Sequence, residues 1–538
     1  MTYTRITMIL ILQSNPATRR WGLMLRAALM VQIVLALSLV CLAQTENTPV
    51  NTKSAEGKAL TSDERTELLK LIKSLQERVD KLEAAQAAQT PATQTPAASL
   101  APPSETKYDP STSDDPHVWM EPVVKEKPVS EAPAAASYGR YTPNLGYKLA
   151  NTEYGDMSVS IYTYARYLNQ LGLASNYTDA FGNVKSVQER QDFQLQKVQI
   201  KFLGWVLDPK LRYFLYTWTS NATQGQGAQV VVAGNVGYTF NDHLTLAAGI
   251  TSLPGVRSTE GNFPFWLSVD SRHIADEFFR PSYTSGVWVK GNVTKRIRYQ
   301  VMLGNNLSTL GVSASRLDHK FNTLSTALVW APTGEYGQGF GDFDNHQTLT
   351  SRFGLHFTRS DENKESQPNS DNFENTQLRL SDGTVIFTPD LFAPGVTITD
   401  ATYRMMDIDG GLKYRGFAIE GEYYWRWLNN FKFLTEPTPF QRQQVPERLF
   451  DHGFQLQASA MVVPKTMQFY VGTSRINGQY GKPWDIRSGV NWFPWKNKVV
   501  RWNNEWLYLY KSPVGYSSVP FAVGGKGSVF HSTLELAF

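Results

Sequence analysis

The chain closes on "GSVFHSTLELAF", Gly527–Phe538. Counting back from the end, Phe538, Leu536, Leu534, Ser532 and Phe530 share one parity, and Ala537, Glu535, Thr533 and His531 share the other. A period of two puts these sets on opposite faces of one strand, and the first face is apolar to the last residue. On the edge of a soluble sheet such a strand would be a template for aggregation. In a closed barrel the last strand pairs with the first and no edge remains.

The same rhythm runs back through the chain to about residue 138. In "DMSVSIYTYARYL" (156–168), Met157, Val159, Ile161, Ala165 and Tyr167 oppose Ser158, Ser160 and Arg166. In "KVQIKFLGW" (197–205), Val198, Ile200 and Phe202 alternate with Lys197, Gln199 and Lys201. The pattern recurs in "KLRYFLYTWT" (210–219), "GVWVKGNV" (286–293), "LTSRFGLHFTR" (349–359), "TMQFYVGTSR" (466–475) and "NEWLYLY" (504–510). Segments of about ten residues that alternate in this way, separated by turns, are the signature of an outer-membrane barrel. Aromatics cluster near segment ends, as in "YYWRWL" (423–428) and "WFPWKNKVVRW" (492–502), where interfacial girdles would lie. A multidomain soluble β-sandwich protein would use similar strands but would need neither the girdles nor the apolar ending. The expectation is an all-β chain over 138–538, a transmembrane antiparallel β-barrel of about 16 strands.

Composition agrees. The 538 residues hold 12% aromatics but only 19% charged residues, below the usual quarter. The mean hydropathy of −0.33 is nevertheless that of a water-soluble protein. Strands with one lipid face and one aqueous face average to such a value.

Arg19 and Arg20 precede "LMLRAALMVQIVLALSLVCLA" (23–43), a basic flank, apolar core and small residue at the end. That order predicts a secretory signal peptide over 1–43, cut after Ala43. A lone membrane anchor would need about 20 apolar residues without a charge. Cys41 is the sole cysteine, so the exported chain would carry no thiol, as suits an oxidising compartment. Cleavage would also remove Arg5, Arg19, Arg20 and Arg26, bringing the 52 basic residues to 48 and equal to the 48 acidic ones. A neutral chain is no nucleic-acid binder.

Residues 44–86 form a periplasmic segment. Within it, Leu68, Ile72, Leu75, Val79 and Leu82 trace the seam of a short coiled coil. A coiled-coil or cell-wall partner could dock along 63–86, and a single amphipathic helix is the plainer reading. Residues 87–137, with "TPATQTPAASLAPPSE" (90–105), read as a Pro/Ala-rich disordered linker.

Four stretches in order, "FQLQKVQIKFLGWVLDPKLRYFLYTW" (193–218), "IADEFFRPSYTSGVWVKGNV" (274–293), "TGEYGQGFGDF" (333–343) and "FAIEGEYYWRW" (417–427), together resemble the phosphate-selective porin O and P family. The likeness spans nearly all of 150–538. It implies a homotrimer of 16-stranded barrels in the outer membrane of a Gram-negative-type bacterium, a constriction loop folded into the lumen, and basic residues along an anion path. The matching loop is the insert at about 252–284, with Arg257, Arg272, His273 and Arg280 as constriction candidates. It carries the acids Glu260, Asp270, Asp276 and Glu277 and no lysine, whereas the family has lysines there.

On strands whose opposite parity is apolar, Arg166, Lys197, Lys201, Lys290, Arg352, Lys413 and Arg426 should face the lumen, since each would cost about 2–4 kcal/mol on the lipid face at midplane. Fixed cations in a confined, poorly screened bore attract passing anions. Glu420 and Glu422 share the Arg426 face, so that strand could be balanced.

No catalytic residue, cofactor or metal is indicated. The eight histidines show no HExxH or close cluster, "GQGFG" (337–341) lacks the Lys-Ser/Thr of a phosphate cradle, and His531 near Ser528 makes no organised triad. The function expected is passive diffusion of small solutes with an anion preference, phosphate being the resemblance's suggestion. The alternatives are a sugar or organic-acid channel, or a barrel that mainly tethers the outer membrane to the cell wall.

Overall fold

The computed structural model describes residues 141–538, with breaks at 143–145, 221–228, 260–265, 311, 313, 318–319, 338, 368–377 and 517. The signal peptide, coiled coil and linker read from the sequence lie outside the described residues.

Sixteen antiparallel strands close into a ring. In chain order they are β1 (Gly155–Leu173), β2 (Gln191–Val206), β3 (Asp208–Ser220), β4 (Gln229–Asn241), β5 (Leu244–Ser252), β6 (Tyr283–Thr294), β7 (Ile297–Gly304), β8 (Thr323–Trp330), β9 (Thr350–Asn363), β10 (Ile398–Tyr414), β11 (Phe417–Phe433), β12 (Arg448–Val463), β13 (Met467–Asn477), β14 (Trp484–Trp492), β15 (Val500–Tyr510) and β16 (Lys526–Ala537). Each pairs with its neighbours in sequence, and β16 returns to β1, with Leu534 opposite Ala165 and Glu535 opposite Tyr164. A short strand before the ring, Gly146–Thr152, pairs with the first residues of β1, where β16 has run out. Phe538 is held there by Ile161 through two backbone hydrogen bonds, and its ring meets Tyr147 edge-on.

Alternation decides which face points where. On β16 His531, Thr533 and Glu535 are buried while Phe530 and Leu534 are exposed. On β9 Arg352, His356, Thr358, Ser360 and Glu362 are buried and Phe353, Leu355 and Phe357 exposed. A soluble protein hides its hydrophobes and wets its charges. This ring is inverted, and its exposed apolar belt is far larger than the few hundred Å² a soluble monomer tolerates. The barrel is therefore transmembrane, spanning with strands; among the described residues no helix is long and apolar enough to cross.

Outward aromatics mark both rims. On β14 Trp484 stacks with Tyr510 at one end and Trp492 meets Trp502 at the other. The eight residue steps from Trp484 to Trp492 span about 26 Å along the strand. That suits the roughly 25 Å apolar band of such barrels.

One end of the ring has mostly tight turns. Arg415 and Gly416, with φ of 47° and 85°, join β10 to β11, the geometry of a two-residue hairpin. The other end carries longer connections. An exception at the tight end, the 331–349 connection between β8 and β9, matters below.

Candidate functional site

The β5–β6 connection (253–282) does not project outward. Nearly every described residue of it is buried, and it folds into the lumen with a short helix, Ile274–Phe279, inside the ring. Wall arginines fasten its carbonyls. Arg501 Nη1 donates to Trp266 O (2.6 Å), Arg487 Nη2 to Arg272 O (2.7 Å), and Arg166 Nη2 to Val269 O (3.3 Å). Each guanidinium also has a second hold: Arg501 on Glu535 (2.5 Å), Arg487 on Asp485 (3.3 Å), and Arg166 on Ser518 O (2.7 Å) of the β15–β16 connection.

Within this connection Arg272 and Arg280 both grip Glu277, at 2.9 and 2.7 Å, and His273 Nδ1 lies 2.8 Å from Asp485. Arg272 also lies over the Trp266 ring, 3.7 Å from its centroid. Two arginines held so closely by carboxylate and ring are occupied as structural ties.

The wall cations divide. Arg352 pairs with Asp409 (2.9 Å) and Arg426 with Asp451 (2.6 Å), the latter also donating to Arg379 O. Lys197 reaches Asp270 of the inserted connection at 2.5 Å. Lys290 instead lines a large cavity, about 470 Å³, together with Lys295, Arg296, Arg298 and Arg257; the acids on that wall are Asp242 and Glu335. Gln199 lines the same cavity, and Lys201 follows two positions on along the inward face of β2.

A second insertion enters from the opposite end. The 331–349 connection sends Tyr336, Gly339 and Phe340 upward to meet Arg257. Arg257 Nη2 donates to Gly339 O (3.0 Å), its guanidinium lies 5.0 Å from the Phe340 ring centroid, and its backbone N–H donates to Glu422 (2.8 Å). Lys413 Nζ donates to the same Gly339 carbonyl (3.1 Å) and sits over Tyr336. Tyr336 in turn donates to Glu420 (2.8 Å). Asp342 anchors the insertion by accepting from Gly416 N–H (2.7 Å) in the β10–β11 turn, and it lies 2.6 Å from His346 Nδ1. The two insertions thus meet at Arg257, which borders the large cavity.

Sequence reading missed two things here. Arg487 and Arg501 share inward parity with Asp485 and Glu505, so alternation could have named them. The lumen course of 331–349 had no such signal, because a turn-end connection is normally short. His531 lies 3.1 Å from Glu505 and faces away from Ser528, which has the opposite parity, so they form no pair.

No protein-family model matches the chain, and no curated protein does. Solved structures similar in shape include OmpT, an outer-membrane protein of Vibrio cholerae, in its trimer form (10% identity, 72% of this chain and 100% of that one, TM-score 0.43). They also include the anion-selective porin of Comamonas acidovorans (10%, 71% and 100%, TM-score 0.41) and the outer-membrane channel DcaP of Acinetobacter baumannii (7%, 72% and 99%, TM-score 0.44). The barrel assignment stands on the ring's own register and on its inverted faces.

Proposed function

We propose that this protein is an outer-membrane porin, a passive diffusion channel for small solutes with a preference for anions. The observation that carries the reading is the inverted ring, with hydrocarbon side chains outside and charged ones within. Such a wall serves a water-filled or water-accessible bore. The anion preference is supported by the large cavity, where Arg257, Lys290, Lys295, Arg296 and Arg298 outnumber Asp242 and Glu335. A fixed excess of cations in a narrow, poorly screened space favours anion entry, and spread over several residues it binds weakly enough for release.

Phosphate is the solute suggested by the sequence resemblance to the phosphate-selective porins. The missing lysine in 253–282, and the engagement of Arg272 and Arg280 with Glu277, favour a broader anion path. A homotrimer exported by a cleaved signal peptide is part of the same reading, with 63–86 available to a cell-wall or coiled-coil partner. A sugar or organic-acid channel, or a tether, are the alternatives.

The test is the zero-current potential of the purified protein in planar bilayers under gradients of potassium chloride, potassium phosphate and a large-cation chloride. Potentials of anion-selective sign support the reading, and a cation-selective sign removes the anion preference. Deleting 44–137 separates tether from channel, because conductance survives if that segment only tethers.

A further inference from the structure

We propose that His356, Asp407 and Asp409 form a site for one divalent transition-metal cation of the Zn²⁺ class on the inner wall, beneath the β5–β6 connection. The inference is independent of conduction. The register places His356 opposite Asp407 and Gly354 opposite Asp409. A Cβ at Gly354 would come within 1.7 Å of Asp409 Oδ2, so the glycine leaves room for that carboxylate to swing toward His356. All three side chains are buried, and one ligand atom from each lies within 4.8 Å of the others.

Asp407 is the decisive residue. It is 0% exposed, no N–H donor bonds either carboxylate oxygen, and the group that faces it is another carboxyl, that of Glu422. An ionised carboxylate left so in a protein interior costs several kcal/mol, and needs a proton or a cation. The imidazole beside it is set up as a ligand. His356 Nδ1 lies 2.9 Å from the Pro254 carbonyl, which can only accept, so the hydrogen is assigned to Nδ1 and the neutral ring turns the Nε2 lone pair toward Asp409 Oδ2 (3.0 Å) and Asp407 Oδ1 (3.7 Å). Three acceptors then face one another, and Arg352, whose Nη2 donates to Asp409 Oδ2 (3.2 Å), is the one donor bonded to them from the wall. A backbone carbonyl on the far nitrogen is the usual support of a metal-bound histidine.

Charge and spacing fit the same occupant. Glu422 stands opposite Asp409 in the register, so Asp407, Asp409 and Glu422 confront Arg352 alone, a formal excess of two negative charges. The neighbouring Arg272, Arg280, Asp276 and Glu277 cancel among themselves. In a tetrahedral shell with bonds of about 2.0–2.1 Å, ligand atoms stand about 3.4 Å apart, between the two separations from Nε2. One imidazole with carboxylates suits Zn²⁺ better than Ca²⁺ or Mg²⁺, which take all-oxygen shells.

The test uses the full chain in detergent, stripped with chelator and shown to be a folded barrel by its heat-modifiable gel mobility. Co²⁺ is titrated while tetrahedral visible absorption is followed, and Zn²⁺ is then added. The expected result is one Co²⁺ per chain, displaced by Zn²⁺, with affinity lowered by about 10–100-fold or more in Asp407→Asn and His356→Gln and unchanged in the exposed-site control Asp361→Asn. Absence of saturable uptake by the folded wild-type chain overturns the site, whatever the variants do. So does uptake unaffected by both ligand substitutions. Either outcome would leave a proton shared among the carboxylates, or an imidazolium between them, as the resting arrangement.

Discussion

Lys197 Nζ and Asp270 Oδ1 stand 2.5 Å apart, and both residues hold left-handed backbone, with φ of 48° and 50°. Neither is glycine, so each conformation costs energy that the surroundings must offset. At Lys197 the register with β1 slips between Tyr162 and Tyr164, so Gln196 and Lys197 are both buried. This is a β-bulge, a device that re-aims a side chain. The bulge lets the consecutive Gln196 and Lys197 both face the lumen, where Lys197 fastens the inserted connection.

Removing one partner of this buried pair should be more damaging than removing both. Lys197→Met takes the cation away from the buried Asp270 carboxylate and leaves it the Tyr164 hydroxyl among its partners, and about 3–5 kcal/mol of destabilisation is expected. The Lys197→Met/Asp270→Asn pair should be milder. Thermal unfolding in detergent, followed by gel mobility, checks this; a double variant as unstable as the single one would show that the pair does not act as a unit.

Selectivity and stability should separate along the wall. Lys290→Gln removes a cation that lines the large cavity, and the anion-to-cation permeability ratio is expected to fall with little change in melting. Arg426→Gln breaks the tie to Asp451 and should lower stability. An unchanged zero-current potential in the Lys290 variant would exclude this residue from the ion path.

The 331–349 insertion should act as a partial plug. Replacing 335–345 by a short Gly-Ser turn is expected to raise single-channel conductance, since Tyr336 and Phe340 leave the bore. Equal conductance in a folded variant would mean that ions pass elsewhere.

That insertion should also loosen in acid. Burial works to raise the Asp342 carboxyl, but hydrogen bonds from His346 and Gly416 outweigh it and hold the group below its usual range. A depressed folded value stabilises the anchored state fully above the ordinary carboxylate value near 3.9 and loses that contribution as pH falls through the folded one. Protease access to 335–346 should therefore stay constant from about pH 7 to 5 and rise below about pH 4, while Asp342→Asn should show the open behaviour at neutral pH. A variant as protected as the wild type would remove Asp342 as the anchor.

Much of the wall was legible because a period of two is a local property. The parity of Phe530, Leu534 and His531, or of Arg166 and Ser160, follows from neighbours along the chain, and the cost of a charge in lipid does the rest. The bulge at Lys197 was not legible, since it answers to Asp270, 73 residues away. Nor was the occupation of Arg272, Arg280 and Arg426 by carboxylates, which depends on where two connections fold. The His356, Asp407 and Asp409 cluster has no motif spacing, because cross-strand register alone unites it.

Whether alternate residues of this ring meet hydrocarbon and an aqueous bore can be measured because the chain is nearly free of thiols. Cys41 precedes the barrel, so single cysteines can be placed in a chain lacking residues 1–43. Val471 is exposed on the outer face of β13, and Lys290 lines the inner cavity. With the barrel in a bilayer, a charged water-soluble thiol reagent should cut the current of Lys290→Cys promptly and leave Val471→Cys unmodified. Equal modification of both, or rapid labelling of Val471→Cys alone, would reverse the assignment of lipid and aqueous faces.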